Sequence, residues 1–187
     1  MEGNSLIRTF LALPVHEEFS AELKTYLAQL QRVVPEAKWV PPEQIHITLH
    51  FFGDVPAGDI PKVKRLVRPL AAACPSLKLS LNPLGFFPDA RKARVIWAGV
   101  TGDEAGLVKL QQQIEAVLSG AGYPAEKRDF KPHATLGRSR SVPLSLSALK
   151  FPEIKTSEKV FNHIVLYKST LGPRASIYEI LETFPLS

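Results

Sequence analysis

The chain has 187 residues, 45% of them hydrophobic and 22% charged, with a formal net charge of +5. That length and balance suit one domain with a sizeable core and argue against disorder. A lone cysteine, Cys74, excludes an intramolecular disulfide framework, and no apolar run reaches the roughly 18–20 residues of a membrane-spanning helix. The opening "MEGNSLIRTF" carries no basic leader followed by an apolar segment. A cytoplasmic protein without membrane contact is expected, with Cys74 a packed small residue.

Sixteen prolines punctuate the chain. "LIRTFLAL" (Leu6 to Leu13) reads as a strand, and Phe19, Leu23, Tyr26, Leu27, Leu30 and Val34 then follow helical spacing up to Pro35. "KWV" and "QIHITLHFFG" read as extended segments on either side of Pro41-Pro42. Ile60, Val63, Leu66, Val67 and Leu70 predict a second helix. "LKLSLNPL" alternates, with Leu77, Leu79 and Leu81 on one face, and "RVIWAGV" is an apolar strand. Asp103 is a candidate cap for a third helix bearing Leu107, Leu110, Ile114, Val117 and Leu118, stopped by "GAG" at Gly120 to Gly122. "VFNHIVLY" (Val160 to Tyr167) and "ASIYEIL" (Ala175 to Leu181) are strand-like. Two similar halves, each with a helix-bearing section and a His-x-Thr strand, predict an α+β fold with mostly antiparallel sheet and internal pseudo-symmetry.

The chemistry-bearing pattern is His-x-Thr-Leu, present at His46 to Leu49 and at His133 to Leu136. Alternation in a strand places His46 and Thr48 on one face with Ile47, Leu49 and Phe51 opposite, and His133 and Thr135 on one face with Ala134 and Leu136 opposite. Each strand thus buries an apolar side and presents an imidazole beside a hydroxyl. On average composition one such motif occurs by chance in about one chain in ten of this length, and two in about one in two hundred. Hydrolysis at phosphorus needs a base for water, an acid for the leaving oxygen, and donors for the non-bridging oxygens. Two histidines and two neutral hydroxyl donors supply that inventory with no metal or covalent nucleophile.

With both motifs in view, the chain resembles the two-histidine phosphoesterases. Among them it is most similar to the RNA 2′,3′-cyclic phosphodiesterases, formerly described as 2′-5′ RNA ligases. "RTFLALPV", "KWVPPEQIHITLHFFGDV", "RVIWAGV", "FKPHATLGR", "IVLYKSTL" and "YEILETFPL" carry the resemblance over nearly the whole chain, residues 1–187. The resemblance implies a single two-lobed, pseudo-two-fold domain whose sheets line a central cleft with helices outside. It also implies conversion of a 2′,3′-cyclic phosphate to a 2′-phosphomonoester without metal or other cofactor, with His46 as proton donor and His133 as proton acceptor. The residues alone assign one histidine to each task without saying which. Thr48, Thr135 and Arg138 are the candidate substrate-binding residues. The expected partner is an RNA end bearing the cyclic phosphate, whether a tRNA fragment, another RNA end or a small cyclic nucleotide, and a monomer is expected. An RNA-terminus binding module without turnover, a reversible 2′-5′ ligase and a metallohydrolase are the rivals.

Strict alternation from His133 would turn Arg138 away from the cleft, and a bulge at Gly137 is expected to redirect it. His46 and His50 suggest a metal pair only on a helix. On a strand they lie about 13 Å apart, so His50 reads as cleft rim or structure. The family pattern expects no histidine there. His16 is read as a surface residue, His163 as a sheet residue, and Phe10, Trp39 and Trp97 as core. Two basic stretches stand out. "DARKAR" (Asp89 to Arg94) is one. The other runs from Glu126 to Arg140, where Lys127, Arg128, Lys131, Arg138 and Arg140 outnumber Glu126 and Asp129, which suits an anionic partner.

Overall fold

The structure, a computed structural model, describes residues 5–126, 128–172 and 176–187. Lys127 of the second basic stretch and Ala175 of the last predicted strand lie outside these. In chain order the elements are β1 Leu6–Pro14, α1 His16–Val33, β2 Lys38–Trp39, β3 His46–Pro56, α2 Ile60–Ala72, β4 Leu77–Phe87, β5 Val95–Gly102, α3 Glu104–Gly120, β6 His133–Arg138, β7 Lys159–Phe161, β8 His163–Leu171 and β9 Ser176–Pro185.

The strands form one antiparallel sheet in the order β7-β4-β5-β6-β3-β1-β8-β9, with β2 added to β6. That order is a palindrome. Outward from the middle, β3-β1-β8-β9 is matched by β6-β5-β4-β7, which gives two lobes related by a pseudo-two-fold axis. The lobes are joined where Ile47 pairs with Ala134, the central residues of the two His-x-Thr motifs, so the axis passes between the motifs. The expected α+β class, antiparallel pairing and pseudo-symmetry are all present.

Periodicity dictates what is buried. Phe19, Leu23, Leu27 and Leu30 of α1, Ile60, Val63 and Val67 of α2, and Leu107, Leu110, Ile114 and Leu118 of α3 recur every three to four residues and are buried. They join Leu11, Leu13, Ile47, Leu49, Ala134, Leu136, Ile164 and Leu166 in one continuous core beneath the sheet. Leu77, Leu79 and Leu81 alternate inward as predicted, and Cys74 is buried and free. Among the described residues no helix is long and apolar enough to cross a membrane.

Two expectations are corrected. Asp103 does not cap α3 with its side chain; its carboxylate instead accepts the Lys78 N–H at 2.9 Å, tying the helix start to β4. "VFNHIVLY" is not one strand. The chain breaks at Asn162, whose carbonyl accepts the Leu186 N–H, and it contributes β7 to one lobe and β8 to the other.

Gly102 turns the chain from β5 into α3 with φ of +97°, and a Cβ there would overlap the Lys78 carbonyl oxygen. Gly102→Ala therefore costs about 1–3 kcal/mol from backbone strain and more from the overlap. A urea or thermal denaturation series should show that loss.

Candidate active site

The register at the pseudo-axis assembles the site. With Ile47 opposite Ala134 on antiparallel strands, His46 falls beside Thr135, and Thr48 beside His133. Directly opposed residues of such strands have Cβ atoms about 4.5–5.5 Å apart. Ile47 and Ala134 point into the core, while the other four are half-buried on the opposite face. Two imidazoles and two hydroxyls thus alternate around one backbone pair.

Each motif is followed by a β-bulge. Against β1, Ala12 pairs with Thr48 but Leu11 with His50, so Leu49 is the extra residue. Against β5, Trp97 pairs with Thr135 but Ile96 with Gly137, so Leu136 is extra. Both bulges fall on the leucine of His-x-Thr-Leu, and both leucines are buried. The six residues from each histidine onward consequently share one burial sequence: half-buried, buried, half-buried, buried, buried, exposed. A bulge reverses the alternation beyond it. Arg138 is thereby brought to the cleft, the redirection arising one residue earlier than expected from Gly137. Phe51, expected on the buried face, also turns into the cleft and is 45% exposed. His50 turns the other way and is 4% exposed, so it is structural rather than a rim residue.

Both catalytic candidates are held alike. The Nδ1–H of His46 donates to the Gln44 carbonyl at 2.7 Å, and that of His133 donates to the Lys131 carbonyl at 2.7 Å. Because a carbonyl only accepts, each Nδ1 carries its hydrogen and each Nε2 is left for the cleft. Aromatic rings fix the imidazole planes. Phe10 stacks on His46 at 4.8 Å and Tyr178 meets it edge-on at 5.6 Å. Phe87 meets His133 edge-on at 5.1 Å and Trp97 lies 6.0 Å from it. Phe10 is buried as expected, yet it and Trp97 are also walls of the site.

Burial pushes His46 down to about 4, more than its bond to Gln44 raises it, and the Arg138, His16 and His133 charges add to the depression. Burial lowers His133 as well, with Arg138 and Arg128 contributing. Both imidazoles are therefore neutral at pH 7, and an anion entering the cleft would favour protonating one of them. Burial pushes Tyr178 up and Tyr167 up to about 12, so both phenols keep their protons.

A cavity of about 240 Å³ sits against this face, lined by His46, Thr48, Thr135, Arg138, Arg8 and Tyr178 among others. His133 is set beside Thr48 by register rather than in the cavity wall. Arg8 and Tyr178 were not expected. Arg8 places its guanidinium 4.7 Å from the Phe51 ring centre; its alternation with Phe10 on β1 was the available signal, while Tyr178 has none. His16 and His163 flank Glu17, at 3.9 and 3.6 Å. Among the described residues, no group of three or more His, Cys, Asp or Glu side chains is arranged to hold a metal ion.

Behind the sheet, α3 grips the first bulge. Gln111 donates to the Leu49 carbonyl at 3.4 Å, and one helical turn on, Glu115 accepts the His50 Nδ1–H at 2.9 Å. The other Glu115 oxygen accepts the Glu126 N–H at 2.9 Å, which links the bulge to the segment leading into the second motif.

A profile of the 2′-5′ RNA ligase superfamily matches residues 15–164. The chain belongs to this superfamily. Superfamily relatives include the RNA 2′,3′-cyclic phosphodiesterase of Methanocaldococcus jannaschii, 32% identical over 180 residues that span 94% of this chain and 99% of the relative. The protein of the same name from Thermotoga maritima is 30% identical over 179 residues, spanning 94% and 93%. A crystal structure from Thermus thermophilus superposes with a TM-score of 0.81 at 28% identity, over 96% of this chain and 98% of that one. Escherichia coli LigT in complex with 3′-AMP shares the fold, with a TM-score of 0.77 at 23% identity over 97% and 99%.

Removing the buried His50 ring strands one Glu115 oxygen, and loss of such a partner costs about 1–3 kcal/mol. His50→Ala should lower the urea midpoint accordingly while the folded enzyme keeps turnover within about tenfold of the parent. Loss as complete as that of a motif histidine would place His50 in the chemistry.

Proposed function

We propose that the chain hydrolyses RNA 2′,3′-cyclic phosphate ends to 2′-phosphomonoesters, acting in the cytoplasm, the compartment that a single unpaired cysteine suits. The observation carrying this reading is the mirrored quartet: two neutral imidazoles, each with Nε2 free, alternating with two hydroxyls around the Ile47–Ala134 pair. In this mechanism His133 Nε2 takes a proton from water as its oxygen attacks phosphorus. His46, protonated once the anionic phosphate is bound, gives its Nε2 proton to the leaving 3′-oxygen. The division of roles between the histidines is taken from the resemblance of the motifs. Thr48, Thr135 and Arg138 donate to the non-bridging oxygens, where charge grows in the transition state. The names of the curated relatives support the same substrate and reaction class.

The deciding test is incubation with an oligoribonucleotide ending in a 2′,3′-cyclic phosphate, with EDTA present, and mapping of the phosphate in the product. A 2′-phosphate is expected. His46→Ala or His133→Ala should each lower kcat by about 10²–10⁴ with the fold intact, whereas Thr48→Val or Thr135→Val costs a few kcal/mol at most. Loss of activity on chelation that Zn²⁺ restores would overturn the metal-independent reading. Tight binding without turnover would favour a binding module.

The pH dependence follows from the two depressed imidazoles. On the acid side kcat/KM falls as the base is protonated, and on the alkaline side as the acid loses its proton. Because kcat/KM reports the free enzyme, its bell should lie on the acid side of 6.5, with limbs belonging to the histidine pair. The kcat profile should sit higher, because bound phosphate favours the charged imidazole. A flat profile between about pH 4 and pH 8 excludes paired acid–base work.

A further inference from the structure

The two motif histidines lean on matching main-chain carbonyls, yet only one of those carbonyls belongs to a residue that is itself tied to a distant strand. Pro41 and Pro42 lead into a 3₁₀ turn over Pro42–Gln44, closed where the Gln44 N–H donates to the Pro41 carbonyl at 2.9 Å. The half-buried Gln44 side chain then lies in the cavity wall. There its Nε2 donates to the Ser176 carbonyl of β9 at 2.9 Å. In a flat sheet β9 would lie three strand spacings, about 14 Å, from β3, with β1 and β8 between them. The sheet curls enough to close that gap, and this bond spans the curl. Lys131 holds the same position before His133, but it is exposed, and among the described residues its side chain makes no hydrogen bond.

β9 is the outermost strand of its lobe and has a partner, β8, on one side only. Towards its end α2 fastens it, because Lys64 donates to the Leu181 carbonyl at 2.6 Å and pairs with Glu182 at 3.2 Å. Towards its start the fastening is Gln44. Two residues on from Ser176, Tyr178 packs edge-on against the His46 ring at 5.6 Å and against Phe10 at 5.0 Å. One residue therefore reaches His46 by two routes, its carbonyl on Nδ1 and its amide through the Tyr178 wall.

We infer that Gln44 is a positioning residue for His46, its side chain holding β9 so that Tyr178 keeps water from the imidazole. This rests on the proposed phosphodiesterase activity and deepens it. Burial is the main reason that His46 sits at about 4, so a loosened wall raises it towards the ordinary value. The titratable and charged groups around the ring are Arg138 and His133 of β6, His16 of α1, Tyr167 of β8 and Tyr178 of β9. Gln44→Met keeps the length of the side chain and the carbonyl on Nδ1, removes the donor, and changes none of those charges.

The test is NMR titration of the imidazoles in the parent, Gln44→Met, Tyr178→Ala and the double variant. In Gln44→Met, His46 should titrate about one pH unit or more higher than in the parent, while His133 moves far less. In Tyr178→Ala the wall is already gone, so adding Gln44→Met should shift His46 little further. With a 2′,3′-cyclic phosphate substrate, Gln44→Met should lower kcat by about tenfold and change KM by less than about threefold. Its kcat/KM bell should move towards neutral pH. An unchanged His46 titration would overturn the inference, as would equal shifts of both histidines or additive effects in the double variant. A raised KM with kcat unchanged would also overturn it, by making Gln44 a substrate contact. Absence of turnover in the parent would instead defeat the phosphodiesterase reading; the titration needs no substrate and still decides the role of Gln44.

Discussion

One antiparallel pair, Ile47 opposite Ala134, is the hinge of this architecture. Each is the middle residue of a His-x-Thr motif, and each points into the core, so their neighbours on both sides must point out. The quartet is a consequence of that single register. Slipping one strand by one residue would bury the imidazoles and expose the leucines, which the apolar core beneath the sheet opposes. The same burial that fixes the register also keeps both imidazoles uncharged. Packing and reactivity are thus set by one arrangement.

Much of this was legible in the chain. Helical spacing in Phe19 to Leu30, Ile60 to Val67 and Leu107 to Leu118 gave the three helices, and strict alternation gave the motif faces. Alternation failed just beyond the motifs. A bulge has no composition of its own in "TLHFF" or "TLGR"; it is decided by how β1 and β5 pair alongside. Alternation alone therefore puts Phe51 on the wrong face, and it brings Arg138 to the cleft only with a bulge at the neighbouring glycine. Asp103 was misread because a cap and a cross-strand acceptor ask for the same side chain. Long-range partners were invisible as well. Tyr178 and Trp97 reach the imidazoles only because β9 and β5 are folded back alongside them, and the His50–Glu115 contact joins residues 65 apart.

The two lobes are alike in backbone and unlike in the side chains they bring to the cleft. Matching bulges deliver Phe51 to one corner of the cleft and Arg138 to the other, so equivalent positions present a ring and a cation. Symmetry supplies two imidazoles, and the departures from it make the two sides of the cleft unlike.

The sheet is also interlaced. β4 follows the first motif in the chain but lies beside β5 in the second lobe, while β8 and β9, near the C-terminus, complete the first. Neither half of the polypeptide contains the strands needed to finish its own lobe. The Tyr178 wall of His46 therefore closes only when the β8–β9 hairpin docks on β1, so the pocket is completed by strands far from the motifs in the chain.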